Sequence, residues 1–118
     1  MERGIWMNNY EFDMEFNFYK NILYKYFGNN EKTEYIKVTL SDEEYFNSLR
    51  EHYSISNAVP FDERSEEDNY ADSFMFFISV GLIAVVEGNY YINKKVLQKY
   101  NDMYKETISK KGEAKKFN

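Results

Sequence analysis

The chain is 118 residues long with a formal charge of −5; its apolar content rests on twelve Tyr and ten Phe, and it has one His and no Cys. That length holds one hydrophobic core and not two, and the lack of Cys excludes disulfides and thiolate chemistry and fits an intracellular, cytoplasmic protein. Charge is partitioned, since residues 34–93 carry twelve acids against three bases while residues 94–118 carry eight Lys against three acids.

Residues 1–7 read as an N-terminal extension, with Met7 a candidate start and no basic-then-apolar secretory pattern. From Tyr10 to Phe27, the set Phe12, Phe16, Tyr19, Leu23 and Phe27 has helical spacing, and Gly28-Asn29-Asn30 supplies a stop. A strand competes over residues 10–18, because Tyr10, Phe12, Met14, Phe16 and Phe18 alternate with acids and Asn. Acids and Asn are poor strand formers, so helix is favoured. Glu34–Leu40 is short and β-branched and reads as a strand. Ser41 and Glu44 form a capping-box pattern ahead of a helix over 42–53 with Phe46, Leu49 and Tyr53 on one face. Residues 54–65 read as a loop.

A third helix starts at Ser65, paired with Asp68, and stops at Gly81. Leu82–Val86 and Asn89–Asn93 make a hairpin around Glu87-Gly88. Asn93 then caps a last helix with Val96, Leu97, Tyr100, Met103, Tyr104 and Ile108 on one face. The single domain spans 8–109, and residues 110–118 read as a Lys-rich flexible tail. The apolar run Phe74–Val86 is too short to span a bilayer, so no membrane partner is expected.

Catalytic signatures are missing. His52 stands without a second His or any Cys, which predicts a helix-surface residue, no metal site and no cofactor. No Gly spacing matches a phosphate loop or a dinucleotide fingerprint. The run Asp62 to Asp68 lacks the alternating ligands and central Gly of a calcium loop. It reads as a solvated loop leading into an acidic helix start, or as an acidic docking surface comprising Asp62, Glu63, Glu66, Glu67, Asp68, Tyr70 and Asp72. Tyr35, Tyr53, Tyr70, Tyr90 and Tyr91 are candidates to extend it, Tyr being an efficient interface residue. Tyr90 and Tyr91 point to opposite faces of the hairpin, so one of them is expected to be exposed.

The order helix, strand, helix, helix, β-hairpin, helix, with the stretch Phe76-Phe77-Ile78-Ser79-Val80-Gly81-Leu82-Ile83-Ala84-Val85-Val86-Glu87-Gly88-Asn89-Tyr90-Tyr91-Ile92, resembles a winged helix-turn-helix domain over about residues 8–110. The resemblance implies an α+β, winged-helix-like single domain whose third helix would enter the major groove. Those positions are Glu66, Glu67, Asp68 and Asp72, and no Lys or Arg occurs from Ser65 to Asn93, so this surface repels phosphates. The link between the second and third helices is also longer than the tight turn of that motif.

Small size, acidity and a composition suited to AT-rich coding also resemble, loosely, phage-encoded inhibitors of host defence such as anti-CRISPR proteins. That similarity implies carboxylates presented where phosphates would lie. The expectation is a non-enzymatic phage or mobile-element protein binding a basic surface of a host protein that itself handles nucleic acid. The alternative is a winged-helix transcription or replication regulator, paired as a homodimer through the last helix and contacting DNA phosphates through Lys94, Lys95, Lys99 and Lys105.

Overall fold

The structure, a computed structural model, describes the backbone of residues 9–117 and the side chains of residues 14–107. The expected extension over residues 1–7 lies outside them. Helix α1 (Asn9–Phe18) continues through one π turn (Tyr19–Leu23) and one 3₁₀ turn (Tyr24–Tyr26). The alternating stretch is thus helical throughout. A π turn inserts one residue into the register, so the buried set steps from Met14 and Phe18 to Tyr19, Leu23 and Tyr26. Phe16 and Phe27, expected in the core from uniform spacing, end only partly buried.

Strand β1 (Tyr35–Lys37) is shorter than the apolar run that announced it, because helix α2 (Leu40–Ser56) begins at Leu40. Its cap is Thr39, whose Oγ1 accepts from the Asp42 N–H at 3.2 Å, and not Ser41. Two overlapping patterns were on offer, and tertiary contacts select the first. The Asp42 carboxylate accepts from the Tyr26 hydroxyl and from Lys25 Nζ at 2.8 Å, while the Thr39 N–H donates to Tyr26 Oη at 3.0 Å. Phe46 and Leu49 are fully buried, as their spacing predicts.

Residues 57–65 link α2 to α3 (Glu66–Ser79) and hold a 3₁₀ turn at Phe61–Glu63. Ser65 and Asp68 form a full capping box, each side chain accepting from the other's backbone N–H. At the other end Gly81, at φ +84°, closes a Schellman motif in which Leu82 N–H reaches Phe77 O and Gly81 N–H reaches Ile78 O. Leu82 and Phe77, the apolar pair that accompanies this motif, are both fully buried.

Strands β2 (Ile83–Val86) and β3 (Asn89–Asn93) form the hairpin, and the antiparallel sheet has the order β1-β3-β2. Ile92 faces Ile36 on one side and Ile83 on the other, and all three are buried on the inner face. Tyr90, two residues from Ile92, shares that face, and its hydroxyl donates to Asn47 Oδ1 of α2 at 2.8 Å. Four rings, Phe18, Phe46, Phe74 and Tyr90, meet at tilted or edge-on centroid separations of 5.0–6.5 Å, joining α1, α2, α3 and the sheet.

Helix α4 (Lys94–Phe117) is capped by Asn93, whose Oδ1 accepts from the N–H groups of Lys95 and Val96. Leu97, Asn101 and Tyr104 are its buried stripe, and the Tyr19 hydroxyl donates to Asn101 Oδ1 at 2.9 Å. Met103 is 54% exposed and so leaves the expected core face, being a third of a turn away from Tyr104. The expected tail beyond Ser109 is helical in its backbone to Phe117; Lys, Glu and Ala favour helix, and Lys suits a helix C-terminus. The molecule is a single α+β domain with the order helix, strand, helix, helix, hairpin, helix. Among the described residues no helix is long and apolar enough to cross a membrane.

Candidate functional site

The acidic run lies where the α2–α3 link becomes the first turn of α3. Pro60, in extended conformation, opens the 3₁₀ turn that carries Asp62 and Glu63, and both are exposed. Glu66 and Glu67 occupy the first two positions of α3, where the helix dipole favours negative charge. Glu66 is exposed and Glu67 half-buried, and among the described residues neither has a cation within salt-bridge range.

The region's one cation is withdrawn. Arg64, its side chain only 12% exposed, turns inward. Its Nη1 donates to Ser56 O at 2.8 Å, Nη2 to Asp68 O at 3.1 Å and Nε to Asn69 Oδ1 at 3.2 Å, and Nη2 also pairs with the Asp72 carboxylate. The guanidinium therefore ties the end of α2 to the start of α3 and leaves the outward surface to carboxylates.

Asp68, grouped with the acidic surface from sequence, is buried. Besides completing the capping box, it lies 2.6 Å from His52 Nε2. The hydrogen bond from the Ser65 N–H, and then the one to His52, hold its carboxyl below the usual range. His52, expected as a free surface residue, is thus a half-buried link between α2 and α3. Asp72 is exposed but neutralised by Arg64. The exposed set is Asp62, Glu63 and Glu66, with Glu67 and Tyr70 half-buried beside it.

The field of these acids registers on nearby phenols. Burial first, and then Glu67, push Tyr45 up to about 12; burial, then Glu66 and Glu67, raise Tyr70. Tyr45, on α2, therefore belongs to the same electrostatic neighbourhood. Of the tyrosines expected to extend the surface, Tyr90 is core, Tyr53 and Tyr91 are half-buried and Tyr35 lies on the edge strand β1. The link does expose one apolar side chain beside the acids, Phe61 at 73%.

The lysines of the alternative reading are spread along α4. Lys94 Nζ donates to the Glu31 carbonyl, and Lys95 lies 3.6 Å from Glu34, so both turn back toward β1. Lys99 lines a cleft with Asp102, and Lys105 is exposed.

Sequence reading missed Arg64, Tyr45 and the His52–Asp68 pair. Each depends on α2 and α3 packing together, and no spacing within one element announces it. Among the described residues no three His, Asp or Glu side chains gather as a metal site. No protein-family profile, curated protein or solved structure matches this chain.

Proposed function

We propose that this is a small, non-enzymatic protein of a phage or mobile element whose acidic face, at the link and the start of α3, binds a basic surface of a host nucleic-acid-binding protein and inhibits or modulates it. The observation that carries this reading is the uncompensated charge of this stretch: Asp62, Glu63 and Glu66 are exposed and Glu67 half-buried, while Arg64 turns inward to Ser56 O and Asp68 O. Such a surface attracts and orients a cationic partner and penalises an anionic one.

The winged-helix-like order of elements supports a second reading, a DNA-binding regulator. In that arrangement α3 would face the groove with Glu66 and Glu67 in its first turn. Among the described residues, phosphate contact would then fall to Lys95, Lys99 and Lys105 on α4 and not to α3 itself, which carries no Lys or Arg. The observations favour the protein partner.

A tagged pull-down from host lysate, with and without nuclease, tests the choice. The docking reading expects a stoichiometric protein that survives nuclease and is lost when Asp62, Glu63, Glu66 and Glu67 are all replaced by Ser. Retention of the partner by that variant refutes it, and recovery of DNA selects the regulator. Asp68 stays untouched in this test, because it caps α3.

A further inference from the structure

Helix α4 meets α1 and its π turn through side chains that are not all apolar. The Tyr104 and Tyr19 rings lie 4.8 Å apart, and beside them Asn101 is 2% exposed with its amide only half used. The Tyr19 hydroxyl donates to Asn101 Oδ1 at 2.9 Å, whereas among the described residues no protein group accepts from Nδ2. Turning the amide over does not resolve the shortage. Nδ2 would then donate to Tyr19 Oη, and the Tyr19 hydroxyl proton would lose its acceptor at Oδ1. In either orientation one buried donor lacks a partner, a costly arrangement that folded proteins resolve with an ordered water.

We propose that one water molecule is a fixed part of the seam between α4 and the π turn, accepting from Asn101 Nδ2 and donating to Tyr19 Oη. The Tyr19 oxygen can accept because its own proton is committed to Oδ1, so amide, hydroxyl and water close a ring in which each bond has one donor and one acceptor. The chemistry of the seat selects this occupant, since a cation would face N–H groups and an apolar group would leave them unpaired. Burial first, and then Tyr24 and Asp102, raise the Tyr19 phenol, which sets two exposed polar side chains near the seat. The ring also fits only one seating of the helix. Sliding α4 by a turn brings Leu97 or Tyr104 toward Tyr19 in place of Asn101 and strands two buried polar groups, so the hydrated amide fixes the register of α4 as a single buried Asn fixes a helix seam. The inference does not rest on the proposed function.

Crystal structures of the full chain and of Asn101→Leu, at a resolution that shows ordered water, test the proposal. The expected result is one water within hydrogen-bond distance of both Asn101 Nδ2 and Tyr19 Oη in the parent, lost in the variant, where no amide remains to donate to it. In solution, the side-chain amide protons of Asn101 should give an Overhauser cross-peak to water with the sign of a long-lived bound molecule. This second measurement needs only the parent chain, so it decides the matter even where Asn101→Leu fails to fold. Parent density with nothing at the seat, an Nδ2 that meets a protein carbonyl, an amide lying over an aromatic face, or amide protons without a cross-peak to bound water would each overturn the proposal.

Discussion

Replacing Arg64 by Ala separates stability from binding in opposite directions. The guanidinium donates at 2.8 Å to Ser56 O, one of the four α2 carbonyls that the helix itself leaves unpaired, and at 3.1 Å to Asp68 O. Hydrogen bonds from a charged, nearly buried donor contribute about 1.5 kcal/mol each. The Asp72 partner is 46% exposed, so that ion pair contributes only about 0.5 kcal/mol. With water replacing part of what is lost, Arg64→Ala should cost about 3 kcal/mol and lower Tm by roughly 10 °C for a chain of this size. Arg64→Lys should recover little, because an ammonium cannot span acceptors that a planar fork reaches at once. Urea unfolding followed by far-UV circular dichroism measures the loss. The same substitution removes a positive charge beneath the acidic face, so association with a basic partner at low salt should be retained or faster. A stability loss below about 1 kcal/mol would refute the view that Arg64 fastens α2 to α3.

Two further outcomes follow from the phenols and the hairpin. Tyr45 is pushed up from 10.0 to about 12, and burial raises Tyr19 and Tyr104 further still. The folded state thus keeps protons that the unfolded state has released, and this stability is fully present below pH 10 and lost as pH rises through the folded values. Phenolate absorbance should show a late-titrating group of tyrosines, and Glu67→Gln should bring part of the Tyr45 shift back; one common titration while the fold persists would contradict this. At the hairpin, Glu87 has φ +52° and Gly88 φ +81°, the signature of a two-residue type I′ turn between Val86 and Asn89. Glu87→Asn should stabilise by about 0.5 kcal/mol and Gly88→Ala should cost about 1 kcal/mol, a backbone effect alone, since a Cβ at Gly88 meets nothing within 4 Å. A neutral Gly88→Ala in urea unfolding would remove the turn assignment.

The parts of the fold legible in the sequence are those fixed by adjacent residues. Ser65 with Asp68, Gly81, Glu87-Gly88 and Asn93 each mark a boundary through bonds within a few positions, and the structure places α3, the hairpin and the start of α4 accordingly. Where the deciding partner is distant, local pattern fails. Thr39 caps α2 in place of Ser41 because Asp42 is held by Tyr26, sixteen residues earlier. The π turn that follows α1 shifts the buried register from Met14 and Phe18 to Tyr19, Leu23 and Tyr26, a step that uniform helical spacing does not announce. The same distinction limits the candidate site: counting acids singles out the stretch from Asp62 to Asp72 but cannot separate those that hold the fold, Asp68 and Asp72, from those that are exposed and unpaired.

That separation sharpens the functional test. Glu66 and Glu67 stand at the first two positions of α3, where the helix dipole stabilises any carboxylate. Their presence is explained by the helix alone, and losing them would disturb both helix and surface. Asp62 and Glu63 precede the helix, sit on an exposed 3₁₀ turn, and make no bond that the start of α3 requires. Replacing only these two by Ser should leave unfolding unchanged while slowing capture of a basic partner, most visibly at low salt, where charge steering is least screened. Unchanged capture would return the acids of α3 to a role in helix stability and leave the docking face without support. Slower capture at equal stability isolates a cost that only an interaction surface incurs.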